Sequence, residues 1–211
     1  MNTQAQKLRE LLASKSIATA VGVYDGFTAK IVEQAGFDAA LISGAAVATS
    51  LQGLPDNGMI TLTEMADAAK RISSCVSIPV IADNGYGNAL NVRRTVQEFE
   101  LGGCAALQLE DQASPKKCGH MDGKEVIPTI EHCRKIEMAA ATRNEMLILA
   151  RTDAATVTGI DDAINRVNEY AKAGADFVIV DAPRTVEDLK KIGERVQAPV
   201  MVNLVEGGKT P

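Results

Sequence analysis

Tryptophan is absent from this chain, aromatic residues make up only 3%, and positive charge is in deficit, with a formal net charge of −5. Few aromatic faces leave little to stack on nucleobases, and a net negative chain offers no basic stripe for a phosphate backbone. Both argue against a nucleic-acid partner. Also missing is any run of about 18 apolar residues, the length a membrane-crossing helix needs. The opening MNTQAQKLRELL reads as an amphipathic helix with polar flanks, not as a signal peptide. No membrane partner is expected, and the expected location is cytoplasmic. Cysteine occurs only four times. Cys75, Cys104, Cys118 and Cys133 show no Cys-x-x-Cys spacing, which argues against structural zinc and against a disulfide framework.

What is present is ordinary for a globular chain: 46% hydrophobic and 23% charged residues over 211 positions. That length holds one sizeable core, and no linker, charge run or low-complexity segment divides it, so residues 1–211 read as one domain. Short apolar runs alternate with stretches of helical spacing. The runs are Ala18–Tyr24, Ala39–Ser43, Ile78–Asp83, Ala105–Asp111, Met146–Thr152, Phe177–Ala182 and Pro199–Leu204, which gives seven expected strands. They are continuous in polarity, as strands buried on both faces of a parallel sheet are. Helices are expected over Leu62–Ser74, Asn91–Leu101, Thr129–Thr142 and Asp161–Ala173. Glycine follows several helices just before a strand, as in Ala35-Gly36, Gly102-Gly103 and Ala173-Gly174, a helix C-terminal signal that marks repeated βα units.

Polar residues at the strand ends choose between α/β architectures. Tyr24-Asp25, Ser43, Asp83, Glu110-Asp111, Arg151-Thr152-Asp153 and Asp181 end six runs, and Asn203 and Glu206 accompany the seventh. In a (β/α)8 TIM-type barrel such positions converge on one mouth, where active sites sit. An open doubly wound sheet uses a crevice at one switch point only. The expected fold is therefore the barrel, with seven of its eight strands in this chain.

Several groups of residues can carry chemistry. The acids Asp56, Asp83, Glu110, Asp111, Asp153 and Asp181 suit a hard cation such as Mg²⁺, which takes oxygen ligands and keeps several waters. They equally suit helix caps and rim ion pairs. Asp83-Asn84-Gly85-Tyr86-Gly87-Asn88 has two glycines after a buried strand but is neither Gly-x-Gly-x-x-Gly nor a Walker sequence, so a nucleotide cradle fits poorly. A polar loop of about 17 residues precedes Thr129, and loops that long are commonly functional. It contains Lys116-Lys117-Cys118-Gly119-His120, where basic neighbours favour a thiolate able to exchange protons with a carbon acid. An exposed cysteine without a role is the plainer reading. Arg151 has the planar fork that grips a carboxylate or phosphate, or it neutralises the mouth acids.

Together these residues resemble the isocitrate lyase and phosphoenolpyruvate mutase superfamily, from about Leu8 to Pro211. Lys116-Lys117-Cys118-Gly119-His120 matches the signature of the lyase branch. Supporting matches are Ser43-Gly44, Leu54-Pro55-Asp56, Gly85-Tyr86-Gly87-Asn88, Leu109-Glu110-Asp111-Gln112, Arg151-Thr152-Asp153 and Asn203-x-x-Glu206-x-Gly208. The nearest likeness is to short members that cleave methylisocitrate or dimethylmalate.

The resemblance implies a (β/α)8 barrel in a homotetramer, with Mg²⁺, or Mn²⁺ in its place, bound through Asp83 with help from Glu110, and Asp56 in the same acidic set. It implies a small di- or tricarboxylate substrate held by Ser43, Gly44, Arg151, Asn203 and Glu206. Gly119 and His120 would close over it, and Cys118 would exchange a proton with carbon. The implied activity is carbon-carbon cleavage yielding pyruvate or glyoxylate. Action on oxaloacetate or on a carbon-phosphorus bond is the alternative, although the phosphonate branch generally lacks the Cys-Gly-His loop.

Two departures stand out. Members of the family usually read Asp-x-Asp-x-Gly-Tyr/Phe-Gly at the third strand end, whereas this chain reads Ala82-Asp83-Asn84-Gly85-Tyr86-Gly87, two residues and one acid shorter. That shortening supports a third reading, an inactive barrel that binds a dicarboxylate. Members also continue for roughly 70 to 80 residues past the equivalent of Pro211, so the eighth strand is expected outside this chain.

Overall fold

The computed structural model of the chain describes residues 3–14, 17–56, 58–83, 87–117, 119 and 123–211. In chain order its elements are α1 (Gln4–Ala13), β1 (Ala20–Val23), α2 (Gly26–Gln34), β2 (Ala39–Ile42), α3 (Gly44–Gln52), α4 (Leu62–Cys75) and β3 (Val80–Asp83). There follow α5 (Ala89–Leu101), β4 (Ala106–Glu110), α6 (Thr129–Thr142), β5 (Leu147–Thr152), α7 (Ile160–Lys172), β6 (Phe177–Val180) and α8 (Val186–Arg195). The four expected helices are α4, α5, α6 and α7, with small shifts at their ends.

Local chemistry accounts for the boundaries. Thr3, Asp25, Thr61 and Thr185 each accept a backbone N–H three residues on, and the side chain at that third position accepts in return from the cap's own N–H. Such a reciprocal box satisfies two otherwise orphaned donors and stabilises the helix by about 1 kcal/mol. At the other ends, Gly103 and Gly174 have φ of +86° and +114°. That backbone lets the chain turn from helix into strand where a side chain would be strained.

All six strands pair parallel in the order β1-β2-β3-β4-β5-β6. Every neighbour is the next unit along the chain, without the reversal that defines a doubly wound sheet. The sheet is a curled, incomplete barrel of the (β/α)8 type, and its strand count differs from the seven expected. The run Pro199–Leu204 contributes a single parallel bridge, Val200 to Val178, with backbone bonds of 2.9 Å from Val178 N to Pro199 O and from Met201 N to Val178 O. Pro199 has no N–H for a ladder. Val202 and Leu204 are 46% and 71% exposed, so no packed layer holds the run extended.

The sheet is buried on both faces, as continuous apolar strands require. Outward, Ile42, Val80, Leu107, Leu109, Ile148, Ala150, Val178 and Val180 join the main core against the helices. Inward, Leu41, Ile81, Ala106, Leu147, Leu149, Phe177 and Ile179 form a second cluster with Ala5, Leu8, Leu11 and Leu12 of α1. Helix α1 thus closes the end where the strands begin. Its polar face is tied there: Gln4 Oε1 accepts from Val80 N at 3.0 Å, and Lys7 Nζ donates to Ser77 O at 2.6 Å. Among the described residues no helix is long and apolar enough to cross a membrane.

Leu8 is 3% exposed at the centre of this plug. Leu8→Ala is expected to lower unfolding free energy by about 2–4 kcal/mol, the range for a buried leucine that leaves a cavity; urea denaturation gives the value directly.

Candidate active site

Alternation along each strand decides which strand-end side chain turns inward. Leu107 and Leu109 pack outward, so Gln108 and Glu110 face the barrel interior with Ala106. The same parity turns Asp83 inward after Ile81, Arg151 after Leu149, and Asp181 after Ile179. The inner face therefore changes along the strand direction from an apolar layer over α1 to a polar layer at the mouth.

Arg151 is the centre of that layer, with its side chain 10% exposed. Nε donates to Asp153 Oδ2 at 3.0 Å, and Nη2 donates to Asp153 Oδ1 and to Asp181 Oδ2, each at 3.0 Å. Glu110 Oε2 lies 3.6 Å from Nε. Asn203 Nδ2 donates to Asp181 Oδ1 at 3.1 Å, and the buried Lys124 Nζ donates to Asp153 Oδ1 at 2.8 Å. Both expected uses of Arg151 bear on this geometry: two of its nitrogens neutralise mouth acids, while Nη1 has no hydrogen bond to a described residue.

Burial alone would raise the pKa of Asp153, but Arg151 and Lys124 more than offset it and hold the carboxyl at about 2. Glu110 goes the other way. Burial pushes it up to about 7 despite Arg151 and Lys116, and the nearby Asp153 and Asp83 charges add to the rise. Lys116 Nζ sits 3.1 Å from Asp56 Oδ1 and 3.9 Å from Glu110 Oε1. Burial would discharge it, yet Glu110, Asp83 and Asp56 hold it in the charged form. Asp83 Oδ1 also accepts from Gln108 Nε2. A cavity of about 380 Å³ opens beside this group, lined by Glu110, Gln112, Lys116, Gly87 and Asn88 among others.

The long loop is zipped at its root. Gln112 Nε2 donates to Lys117 O at 2.9 Å, Lys117 N donates to Gln112 Oε1 at 3.0 Å, and Gln112 bridges to Val126 in antiparallel fashion. Gly119 then lies against the Arg151–Asp181 pair: a methyl there would overlap Asp181 Oδ2 and Arg151 Nη2. Its carbonyl accepts from Lys124 Nζ. Cys118 and His120 lie outside the described residues, as do Asn84, Gly85 and Tyr86 of the shortened stretch.

Of the other expected residues, Ser43, Gly44 and Glu206 are not joined to this cluster by any hydrogen bond or ion pair among the described residues. Ser43 is the N-cap of α3, with Oγ accepting from Ala46 N at 3.3 Å, and Gly44 is the first, buried residue of that helix. Ser43, Tyr24 and Thr49 line a second, shallower cavity. Glu206 is exposed in the following turn and is not joined to the Arg151 cluster. Asp111 faces outward and is not part of the mouth. Lys124 and Gln108 were not anticipated. A lysine is almost never read as buried from composition alone, but a glutamine between two leucines in an apolar strand is a signal of an inward polar layer. Among the described residues no three His, Cys, Asp or Glu side chains form a ready metal cage.

A singly wound parallel sheet with an acidic, arginine-centred mouth at the strand ends defines a barrel-type enzyme. A family model for phosphoenolpyruvate phosphomutase matches residues 8–211. The 2,3-dimethylmalate lyase of Eubacterium barkeri is 46% identical over 215 residues, covering 100% of this chain and 74% of that protein. The 2-methylisocitrate lyase of Aeropyrum pernix is 45% identical over 206 residues, 97% of this chain and 67% of that protein.

Among solved structures, a 2,3-dimethylmalate lyase superposes with a TM-score of 0.95 at 35% identity, over 100% of this chain and 73% of that one. An oxaloacetate acetylhydrolase in complex with 3,3-difluorooxalacetate gives 0.94 at 33%, over 99% and 74%. A phosphonopyruvate hydrolase in complex with oxalate and Mg²⁺ gives 0.86 at 31%, over 97% and 72%. The chain belongs to the phosphoenolpyruvate mutase/isocitrate lyase superfamily.

Two outcomes follow from the charges. Lys124→Met leaves the buried Asp153 short of one cation, and breaking such a pair costs about 3–5 kcal/mol. In urea denaturation at pH 7 it is expected to be far less stable than Lys172→Met, which removes an exposed ion pair. Glu110 has its folded pKa raised above the usual 4.5 to about 7. The contribution of Glu110 to the stability of the metal-free protein is therefore expected to be fully present below 4.5 and to be lost as pH rises through 7. Glu110→Gln should flatten that fall, and an unchanged profile would show Glu110 to be ionised throughout.

Proposed function

We propose that this enzyme is a Mg²⁺-dependent carbon-carbon lyase acting on a 2-hydroxy di- or tricarboxylate of the dimethylmalate or methylisocitrate type. Its products would be pyruvate or glyoxylate and a second carboxylate. The observation that carries this reading is Gly119 against the buried Arg151–Asp181 pair. It brings the loop with the Lys116-Lys117-Cys118-Gly119-His120 sequence to the mouth of the barrel-like sheet. Similarity to 2,3-dimethylmalate lyase over the whole chain supports the same class of substrate.

The donor set fits the metal. Asp83 and Glu110 would hold it, with Asp56 linked to the same group through Lys116. All three offer hard carboxylate oxygens, and two suffice where water and substrate complete the shell. When bound, Mg²⁺ would orient the oxo acid and offset negative charge as the carbon-carbon bond breaks.

The chain's own groups do the rest. Arg151, anchored through Nε and Nη2, turns Nη1 to a substrate carboxylate, while Ser43 and Gly44 at the start of α3, with Asn203, meet other carboxylate oxygens. Glu206 is held to this role by the resemblance alone. Glu110 would be ionised while it helps hold the metal, since a bound dication favours the carboxylate. Cys118 delivers a proton to the carbanion carbon, and Gly119 and His120 shield it from water. The reading includes a cytoplasmic homotetramer.

The likeness to oxaloacetate acetylhydrolase favours one second reading, action on oxaloacetate at the same site. A single screen separates the two: dimethylmalate, methylisocitrate, isocitrate, oxaloacetate and phosphonopyruvate with Mg²⁺, with the products separated and oxo acid, oxalate and phosphate each quantified. The expected result is oxo-acid release from a hydroxy acid, abolished by EDTA and restored by Mg²⁺. Activity confined to oxaloacetate or phosphonopyruvate would overturn the lyase reading. Cys118→Ser is expected to lose about 10²-fold or more in kcat, the scale of a positioned proton donor, and full activity in that variant would remove Cys118 from the mechanism.

A further inference from the structure

Asp111 is one residue beyond Glu110 and therefore faces the opposite side of the sheet. It is fully buried there, among the helices. Oδ2 accepts from Thr152 Oγ1 at 2.6 Å, from the Tyr170 hydroxyl at 2.8 Å and from Arg166 Nη1 at 3.3 Å, and Oδ1 accepts from Asp153 N at 2.9 Å. Its backbone is tied to the same region: Asp111 N donates to Arg151 O at 3.2 Å, and Ile127 N donates to Asp111 O at 2.9 Å. Arg166 is itself fixed by Asp162 Oδ2 at 2.8 Å and by Ile127 O at 2.9 Å.

These partners border the Arg151 cluster. The register between β4 and β5 ends at the pair Glu110 and Arg151. On its far side Thr152 is paired with Val180 of β6, and Asp181 N donates to Thr152 O at 2.9 Å; on the β4 side the ladder stops, and there the Asp111 carboxylate grips Thr152 by its hydroxyl and Asp153 by its amide. Asp153 is the residue that clamps Arg151 through two nitrogens. Ile127 closes the return of the long loop onto the same residue. A single carboxylate behind the sheet thus joins the end of β5, the root of the loop and α7.

We infer that Asp111 is a positioning residue for Arg151: from the outer face it sets Thr152 and Asp153, and through them the direction of the guanidinium in the mouth. The effect on turnover rests on the lyase reading given above; the effect on Arg151 does not. Asparagine keeps the shape of Asp111 but presents an NH₂ group to donors. Thr152→Val is a milder variant that keeps the volume and deletes one of the four bonds, together with the 3.2 Å bond from Ala154 N to Thr152 Oγ1. Leu8→Ala serves as the control, since it destabilises the far end of the sheet without touching this bracket.

The experiment measures kcat and KM for 2,3-dimethylmalate cleavage with Mg²⁺ on the full chain, well below each variant's unfolding temperature. It also follows the Arg151 Nε–H resonance of arginine-labelled protein, assigned by its loss in Arg151→Lys. Asp111→Asn is expected to lose about tenfold or more in kcat/KM, mostly in kcat, as displaced catalytic geometry does. Thr152→Val should lose less, and Leu8→Ala should stay within about twofold. The Arg151 resonance should move in the first two variants and not in the third.

If Asp111→Asn does not fold, Thr152→Val carries both measurements. Wild-type kcat/KM together with an unmoved resonance would overturn the inference, and so would an equal loss in Leu8→Ala. If the wild-type protein cleaves none of the substrates, the lyase reading fails, and the resonance alone decides the role of Asp111.

Discussion

A guanidinium taken out of water cannot be left without partners, because an unpaired buried charge costs several kcal/mol. Arg151 is that group, and its partners come from separate parts of the chain. Asp153 follows the same strand, Asp181 follows β6, Glu110 ends β4, and Lys124 and Asn203 stand behind two of those acids. Such groups meet only if β4, β5 and β6 run parallel with their carboxyl ends level. The crossover helices, the C-terminal glycines and the sequential strand order are what that convergence demands of the chain.

Stability and chemistry are separated along the strands as a result. Where the strands begin, the interior is apolar and closed by α1, whose leucines meet Ile81, Leu147, Leu149 and Phe177. Where they end, the interior is charged and faces a cavity. The barrel class in general divides its two faces in this manner. The neighbours Glu110 and Asp111 make a second division, across the sheet. One carboxyl is raised toward neutrality in the mouth, and the other is fully engaged with donors on the helix side.

The βα alternation was legible because each level of the sequence agreed: apolar runs, amphipathic spacing, caps and glycine turns pointed to the same units. The helix boundaries of α4 to α7 followed from that agreement. The seventh expected strand is reduced to one bridge because Pro199 has no N–H for a ladder and Val202 and Leu204 find no packed layer, which strand composition does not reveal. Strand-end position gathered Asp83, Glu110, Arg151 and Asp181, which share the inner face at the mouth, yet position alone treated Asp111 as their equal. Parity counted from the leucines of β4 would have separated it, and Gln108 carried the same information. Lys124 was not legible, since nothing local distinguishes a lysine bound to Asp153 from one in solvent.

Gly119 meets the Arg151–Asp181 pair through its main chain, since no side chain fits between them. Docking of the loop is thus indifferent to which functional groups flank that point. A scaffold arranged in this way can exchange the side chains that flank Gly119 in the sequence while the contact of Gly119 with the pair stays the same. Diversification at those positions can then proceed by single substitutions, without rebuilding that contact.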